Sequence, residues 1–375
     1  MKMKRELHSI KNNDEELKNT KYKILIIGNK DRFIHLKQFS IELEKKGNNI
    51  KLIHDLDFID KFFELNFLKK LKKKNNFEKI IREFKPDLVL LDRISKLAEQ
   101  VIAKNIPLWI LLRGNYWEEA KLAEKTIYKS KLERLAMEKK RKLIDYCFKE
   151  SSMILPISKY LENEVKEKYP NKKIILFPAD GRIPNEWQKI EKEKMEHPCV
   201  GLVQGLNIWG KTKELLVLKK VLNELPDITF YLAGSGIYEK EIIPDLKKFK
   251  NFVWLENLEY PYEVKKFLST IDVFLLLSGL EGLGQAIIEA SLMKKPVIAS
   301  NIGGIPDLIE NGETGILIEN GDSKKIIESI QLIINDSDYS EKIVEAAYDK
   351  IKEKFSWSNI AEKFECILEI HHKNN

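Results

Sequence analysis

Two glutamates and two glycines stand close together in the segment 275–322, where the residue types are well suited to ligand binding. A loop with Glu281, Gly282 and Gly284 follows an apolar run and leads directly into an apolar stretch typical of a buried helix. Glycines let the backbone approach a ligand closely, and the free amides and dipole of a first helical turn favour an anion. Carboxylates accept hydrogen bonds from hydroxyl groups. The pattern predicts a site for a sugar joined to a phosphate, with Glu289 facing the same pocket.

Each of these features alone also has an ordinary structural explanation. A glycine-rich loop before a helix is often only a tight turn, and a glutamate near a helix start is often stabilised by the dipole alone. What favours a ligand site is the order of the whole run, in which the glycines, both carboxylates and the helix start follow one another.

The elements that position this segment are strands alternating with helices. Short β-branched apolar runs separated by amphipathic stretches predict parallel α/β structure. Ligands of such sheets bind beyond the carboxyl ends of the strands, so we expect a cleft between two domains. The predicted strands are 23–28, 49–53, 86–92 and 107–112 in the N-terminal half, and 198–203, 228–234, 252–255, 272–278, 296–300 and 314–318 in the C-terminal half.

The 375 residues allow two or three domains, and the pattern divides them into five segments. These are a polar leader (1–20), an N-terminal Rossmann-like domain (21–180), a charged linker (181–197), a C-terminal domain (198–357) and a helix that crosses back to the N-terminal domain (358–375).

The net charge of +7 is divided unequally between the two halves of the chain. Residues 1–200 carry 45 basic and 31 acidic side chains, whereas residues 201–375 carry 20 and 27. A basic half joined to an acidic half indicates two domains with different partners.

Three cysteines, far apart and without C-x-x-C spacing, indicate neither a disulfide framework nor a zinc knuckle. The N-terminal leader lacks the apolar core of a signal peptide, and the longest apolar runs are far shorter than a membrane span. We therefore expect a cytoplasmic protein that is soluble or rests on the cytoplasmic face of a membrane.

The complete run in 275–322 resembles the family-4, or group 1, retaining glycosyltransferases. The resemblance implies their GT-B fold, in which two Rossmann-like domains face a central cleft. It also implies that Glu281 holds the hydroxyls of the donor sugar and Glu289 the ribose, while the amides of Gly282, Leu283, Gly284 and Gln285 meet sugar and phosphate. The matching residues are Ser278, Glu281-Gly282-Leu283-Gly284, Glu289, Lys295-Pro296-Val297-Ile298-Ala299-Ser300, Gly303-Gly304 and Gly312-Glu313-Thr314-Gly315.

The same resemblance identifies the stretch GLNIWGKT (205–212) with the phosphate-binding loop of the family. It implies that Gly205 and Lys211 contact the donor and that the Lys211 ammonium neutralises the diphosphate. The alternative for Lys211 is a solvated lysine at a helix start. Leu206 stands where the family usually has arginine, so either another basic residue replaces that cation or donor affinity is reduced.

In the N-terminal half the resemblance is fainter, and two residues are candidates for the acceptor side. Arg113 ends a strand at a place where many relatives carry a histidine. It would act catalytically by supporting the leaving group, or bind an acceptor phosphate, or be an ordinary arginine at a strand end. Gly28 ends the first strand and would allow close approach by the donor.

A basic and aromatic segment, 58–81, is a candidate membrane surface. It combines five phenylalanines with Lys69, Lys70, Lys72, Lys73 and Lys74, a mixture that suits a helix lying on anionic lipid headgroups. A core-packing helix with a solvated basic rim is the alternative. No nucleic-acid-binding motif accompanies the charge, so no nucleic-acid partner is expected.

Together, these observations and the resemblance predict a glycosyltransferase that moves a sugar from a nucleotide diphosphate sugar to an acceptor hydroxyl with retention of configuration. The resemblance implies that the acceptor is a lipid-linked or cell-envelope glycan. No cofactor and no metal ion is expected, because cationic side chains and amides would stabilise the diphosphate. The alternative is a non-catalytic sugar-nucleotide-binding or scaffold protein of a glycan assembly complex, motivated by Leu206 and Arg113. A nicotinamide dehydrogenase is disfavoured because no G-x-G-x-x-G follows the first strand.

Overall fold

The computed structural model describes residues 21–59, 67–126 and 130–373, so the predicted polar leader lies outside it. Its N-terminal half forms a parallel five-stranded sheet in the order β2-β1-β3-β4-β5. The strands are β1 (Lys23–Gly28), β2 (Asn49–His54), β3 (Leu88–Asp92), β4 (Leu108–Leu112) and β5 (Met153–Pro156). The helices are α1 (Phe33–Lys45), α2 (Phe67–Phe84), α3 (Leu97–Ile102), α4 (Tyr116–Thr126), α5 (Lys131–Glu150) and α6 (Lys159–Lys168).

The C-terminal half forms a parallel six-stranded sheet in the order β11-β10-β9-β6-β7-β8. Its strands are β6 (Cys199–Val203), β7 (Thr229–Ala233), β8 (Phe252–Glu256), β9 (Val273–Leu276), β10 (Val297–Ser300) and β11 (Ile316–Ile318). Its helices are α7 (Trp209–Thr212), α8 (Leu218–Glu224), α9 (Glu239–Leu246), α10 (Tyr262–Thr270), α11 (Gln285–Leu292), α12 (Ser323–Asn335) and α13 (Ser337–Lys354), followed by α14 (Trp357–Lys373).

Burial on both faces explains why most strands could be predicted. β3, β4 and β9 are buried along their whole length, and parallel strands covered on both faces are continuous apolar runs in sequence. The prediction missed β5, whose four residues form only a short run that ends in proline.

Each sheet changes its direction of strand order once, and such switch points are where parallel sheets bind ligands. In the N-terminal sheet the switch lies between β1 and β3, and in the C-terminal sheet it lies between β6 and β9. The glycine-containing loop that follows β9 therefore begins at a switch point.

The last helix, α14, lies against the N-terminal sheet. The ring of Phe364 packs 5.5 Å from Trp109 in β4 and 5.4 Å from Phe39 in α1. The linker passes the start of this helix closely, because a Cβ on Gly181 would stand 2.5 Å from the indole of Trp357. Two segments thus connect the two halves of the molecule: the linker and the start of α14.

The sequence pattern also predicts a helix over 211–225, and the structure forms it as three consecutive helical pieces. The structure has the short α7, a 3-10 turn over Lys213–Val217 and then α8. The side-chain amide of Gln204 donates to the carbonyl oxygen of Lys211 over 3.1 Å, so an acceptor of the expected helix is used by a side chain. Because Gln204 directly follows β6, this hydrogen bond joins Lys211 to the end of that strand.

The phenylalanines of the basic segment belong at least partly to the core. Phe77 is fully buried, and its ring lies 5.8 Å from that of Phe58. Residues 60–66 of this segment lie outside the described residues. No helix in the described part of the chain is long and apolar enough to cross a membrane.

The lysines of the segment are only partly visible in the structure. Lys72 and Lys74 are exposed, while the ammonium of Lys73 donates to the carbonyl oxygen of Ile59 over 2.9 Å. The side chains of Lys69 and Lys70 lie outside the described residues. The membrane surface therefore stays a prediction.

Candidate functional site

A cavity of about 340 Å³ lies between the two sheets, at the carboxyl ends of β6 and β9. The C-terminal half contributes the loops that follow these strands and the start of α11, and the N-terminal half contributes residues that follow β3 and β4. Most of the predicted site residues line it: Arg113, Gly205, Lys211, Glu281, Gly282, Leu283, Gly284 and Gln285. Gly28 and Glu289 are not part of its lining.

Lys211 and Glu281 form an ion pair inside this cavity. The Lys211 Nζ lies 2.8 Å from Glu281 Oε1, and the two side chains are 24% and 11% exposed. Each charge therefore neutralises the other when no ligand is bound. An anion that reached Lys211 would free the Glu281 carboxylate to accept hydrogen bonds from hydroxyl groups.

Gln285 and Ala286 of the first turn of α11 line the same cavity, and their amides have no acceptor among the described residues. Gly284 is the N-cap residue, has φ of 97° and offers no side-chain cap. A helix start without a capping side chain leaves amide groups for an anionic ligand, and the helix dipole favours the negative charge. The left-handed φ explains why glycine stands at this position.

Close backbone packing explains Gly282 in the loop after β9 and Gly304 in the segment that follows β10. A Cβ on Gly282 would stand 2.1 Å from the carbonyl oxygen of Arg113, and one on Gly304 would stand 2.1 Å from that of Gly282. Neither contact leaves room for a side chain. The loop after β9 thus lies directly on the end of β4 in the other half of the molecule.

Arg113 is buried in an ionic cluster at the floor of the cleft. Its Nε donates to Asp92, its Nη1 lies 2.8 Å from Asp180 Oδ1, and its Nη2 donates to the carbonyl oxygen of Ala179 over 3.1 Å. Burial alone would lower the pKa of Arg113, but the two carboxylates outweigh it and raise the pKa. The guanidinium is therefore held firmly in place. Its predicted contact with an acceptor or leaving group stays a prediction.

Glu289 lies behind the cavity rather than in its wall. Its Oε1 accepts hydrogen bonds from Arg182 Nη2 over 2.5 Å and from the Tyr260 hydroxyl over 3.0 Å. Glu289 is 5% exposed and Arg182 1%, so this is a buried ion pair. A ribose bound by Glu289, which stays a prediction, would have to share the carboxylate with these two partners.

Two residues of the N-terminal half line the cavity and were missed. Arg93 follows β3, is exposed and has φ of 79°, a strained conformation of the kind that concentrates at functional sites. Glu119 in α4 is half-buried, and its Oε1 would lie 2.6 Å from a Cβ on Gly114. Burial raises the pKa of Glu119, against the opposing effects of Lys211 and Arg93. The sequence feature that could have indicated both residues is their position shortly after a predicted strand.

Leu206 takes no part in the cavity wall. It is fully buried in the core of the C-terminal sheet, so the position of the family arginine carries no charge. The cationic side chains in the cavity lining are Arg93, Arg113 and Lys211. Of these, Arg93 makes no ion pair with any described residue.

Gly28 has a packing explanation. A Cβ there would stand 2.1 Å from Leu36 Cδ1, so glycine allows α1 to pack on β1.

The candidate metal-ligating cluster of the described residues lies away from the cavity. Among the described residues one group, His197, Cys199 and Asp272, has ligand atoms within 4.8 Å of one another. It stands at the amino end of β6, opposite to the cavity. An Asp-x-Asp triplet, Asp55–Asp57, follows β2 and does not line the cavity either.

Comparison with known proteins identifies the C-terminal half. Residues 185–350 match the family model described as glycosyl transferases group 1. The capsular polysaccharide biosynthesis glycosyltransferase CapM of Staphylococcus aureus is 30% identical over 179 residues, which are 48% of this chain and 43% of that protein. The N-acetyl-alpha-D-glucosaminyl L-malate synthase of Bacillus anthracis is 26% identical over 237 residues, 60% and 61% of the two chains. The chain thus spans less than two thirds of the length of either relative.

A solved structure matches over both halves. The crystal structure of Anabaena HepE in complex with UDP and glucose has a TM-score of 0.67 and 17% identity, and the match covers 93% of this chain and 99% of that one. An identity this low shows the fold alone, which is GT-B as expected from the sequence. The match of residues 185–350 makes the C-terminal half of the chain similar to the group 1 glycosyl transferases.

Proposed function

We propose that the protein is a retaining glycosyltransferase that moves a sugar from a nucleotide diphosphate sugar to a hydroxyl of a glycan or lipid-linked acceptor. The observation that carries this proposal is the meeting of Lys211, Glu281 and the uncapped start of α11 in one cavity. These groups suit a ligand with both phosphates and hydroxyls. The cavity also lies at a switch point of the sheet, where ligands of this architecture bind.

The proposed chemistry is electrostatic. The Lys211 ammonium leaves Glu281 and pairs with the diphosphate. The first-turn amides of α11 donate hydrogen bonds to the diphosphate oxygens. Both groups stabilise the negative charge that grows on the diphosphate while the anomeric carbon gains oxocarbenium character. Glu281, released from its ion pair, accepts hydrogen bonds from the sugar hydroxyls and fixes the ring. Because Glu281 acts by positioning, no covalent intermediate is required of it.

Arg93 supplies the second cation in this proposal. Leu206 cannot do so, whereas the guanidinium of Arg93 lines the cavity and has no described counter-ion. Arg113 holds the floor of the cleft through Asp92 and Asp180, and we assign it a positioning role towards acceptor and leaving group.

The identity of the donor and acceptor is proposed from the relatives. HepE was crystallised with UDP and glucose, and a pneumococcal O-GlcNAc transferase of related structure with UDP and GlcNAc. CapM is named for capsular polysaccharide biosynthesis. A UDP-sugar and a cell-envelope glycan are therefore the first candidates, with GDP- and ADP-sugars as alternatives.

Metal independence is part of the proposal, because Lys211, Arg93 and the amides of α11 provide the positive charge. Sugar transfer should therefore be unchanged by EDTA. A loss of activity that Mg²⁺ or Mn²⁺ restores would contradict this part.

A peripheral position on the cytoplasmic face of a membrane is proposed from the basic segment. Replacing Lys69, Lys70, Lys72, Lys73 and Lys74 with glutamine should reduce sedimentation with phosphatidylglycerol vesicles. Unchanged sedimentation would contradict the proposed membrane contact. It would not bear on the proposed transfer activity.

A panel of nucleotide sugars tests the function itself. We expect the purified protein to release a nucleoside diphosphate slowly from one donor, and faster when acceptor-containing membranes are added. Glu281→Gln should lower this release at least tenfold. Binding of a nucleotide sugar without any turnover, membranes included, would favour the scaffold protein instead.

A further inference from the structure

A second cavity of about 140 Å³ opens beside the first, between α4, α5 and α7. Its walls combine polar side chains with apolar ones, which include Leu122, Met137 and Ile144 from the N-terminal half and Trp209 from the C-terminal half. We call it the side cavity. No role in the proposed donor site requires it.

The side cavity and the donor cavity are continuous. Four residues line both of them: Tyr116, Glu119, Asn207 and Ile208. Glu119 is the one carboxylate among the described residues that line both cavities. A molecule in the side cavity would therefore present its nearest group to Glu119, which lines the donor cavity together with Lys211 and Glu281.

The side cavity also bridges the two halves of the molecule. The Tyr238 hydroxyl, from the C-terminal half, donates to Thr126 Oγ1 over 2.6 Å, and the Tyr238 ring lies 5.3 Å from Trp209. These contacts close one side of the space. An occupant would thus contact both halves of the molecule, as a second substrate bound in the cleft would.

Size and charge define the occupant. An apolar cavity of about 150 Å³ accommodates a molecule as large as benzene, so the side cavity fits one ring or a short branched chain. Lys140 is the cationic residue of its lining and makes no ion pair within the described ranges. An apolar group that carries a phosphate matches both features.

We propose that the side cavity is the acceptor subsite, where an acceptor with an apolar group and a phosphate binds so that its reacting hydroxyl meets Glu119. The inference rests on the proposed function and specifies its acceptor. Lys140 attracts the phosphate, the apolar side chains take the ring or chain, and Glu119 accepts a hydrogen bond from the hydroxyl that attacks the sugar.

Benzyl phosphate is the probe for this subsite, measured by ligand-observed NMR on protein saturated with the nucleoside diphosphate that binds it best. Ala120→Leu and Ala123→Leu extend a side chain into the side cavity alone. Each should weaken benzyl phosphate binding at least tenfold and change nucleotide affinity by less than twofold. Ala346→Leu, on the exposed face of α13, is the matched control and should change neither.

Two smaller molecules measure the two parts of the site separately. Benzyl alcohol reports binding of the ring alone, and inorganic phosphate reports binding of the charge alone. Lys140→Met should remove the preference for benzyl phosphate over benzyl alcohol, whereas Lys142→Met, at a residue paired with Glu138, should keep it. Two results overturn the subsite: benzyl phosphate binds wild type and both leucine variants equally, or it does not bind nucleotide-loaded wild type. Failure of every nucleotide to bind would overturn the proposed function itself, which is a different result.

Discussion

Replacing Lys211 with alanine tests the proposed phosphate contact most sharply. In the ligand-free protein this lysine is paired with Glu281 at 2.8 Å, and in the proposed complex it exchanges that partner for the diphosphate. A charge-assisted hydrogen bond contributes about 1.5–3 kcal/mol. The partly exposed pair with Glu281 offsets about 1 kcal/mol of this, because binding must break it. The net contribution is about 0.5–2 kcal/mol, or about 2- to 30-fold in the dissociation constant.

Calorimetric titration with UDP and with uridine measures this effect. Lys211→Ala should weaken UDP binding by about 2- to 30-fold and leave uridine binding unchanged, because the nucleoside lacks the diphosphate. Lys213→Ala is the control, since that lysine is 46% exposed and pairs with Glu214 outside the cavity lining. An equal loss for UDP and uridine, or no loss for UDP, would refute the assignment of Lys211.

Three further predictions concern stability and domain contact. Glu289→Ala leaves the buried Arg182 without its partner, which should cost about 3–5 kcal/mol and lower the melting temperature by roughly 6 °C or more in calorimetry; an unchanged melting temperature would contradict the buried pair. Gly282→Ala places a Cβ 2.1 Å from the Arg113 carbonyl oxygen, so donor cleavage should fall at least tenfold in a protein that remains folded. Full activity would show that the two halves need not touch at this position. Burial lowers the pKa of Lys295 to about 8 from 10.5. The unfolded chain therefore binds more protons between these pH values, and urea denaturation should show stability rising over this window in wild type relative to Lys295→Met; parallel curves would exclude the shift.

The sequence predicted the two sheets because both are built from parallel strands buried on two faces. Such strands are continuous apolar runs, and β1 was placed at its observed bounds. β5 and the interruption of the helix near Lys211 were not predicted. In the first case the run is too short, and in the second the Gln204 side chain, only seven residues away, donates to the Lys211 carbonyl oxygen that a regular helix would use.

Most of the candidate site could be placed from the loop after β9 and the loop after β6. Contacts between the two halves could not be, because nothing in a local pattern pairs Arg182 with Glu289 or sets Gly282 on the end of β4. The same limit applies to Arg93 and Glu119. Their residue types are ordinary, and only the folded chain shows that they line one cavity with Lys211.

The central claim is that a nucleotide diphosphate sugar binds between the two sheets. A crystal structure with the tightest-binding donor tests it most directly. We expect the diphosphate within hydrogen-bond distance of Lys211 Nζ and of amides in the first turn of α11, and the sugar hydroxyls on Glu281. A donor bound elsewhere, or a diphosphate in this cavity with Lys211 still paired to Glu281, would contradict the account.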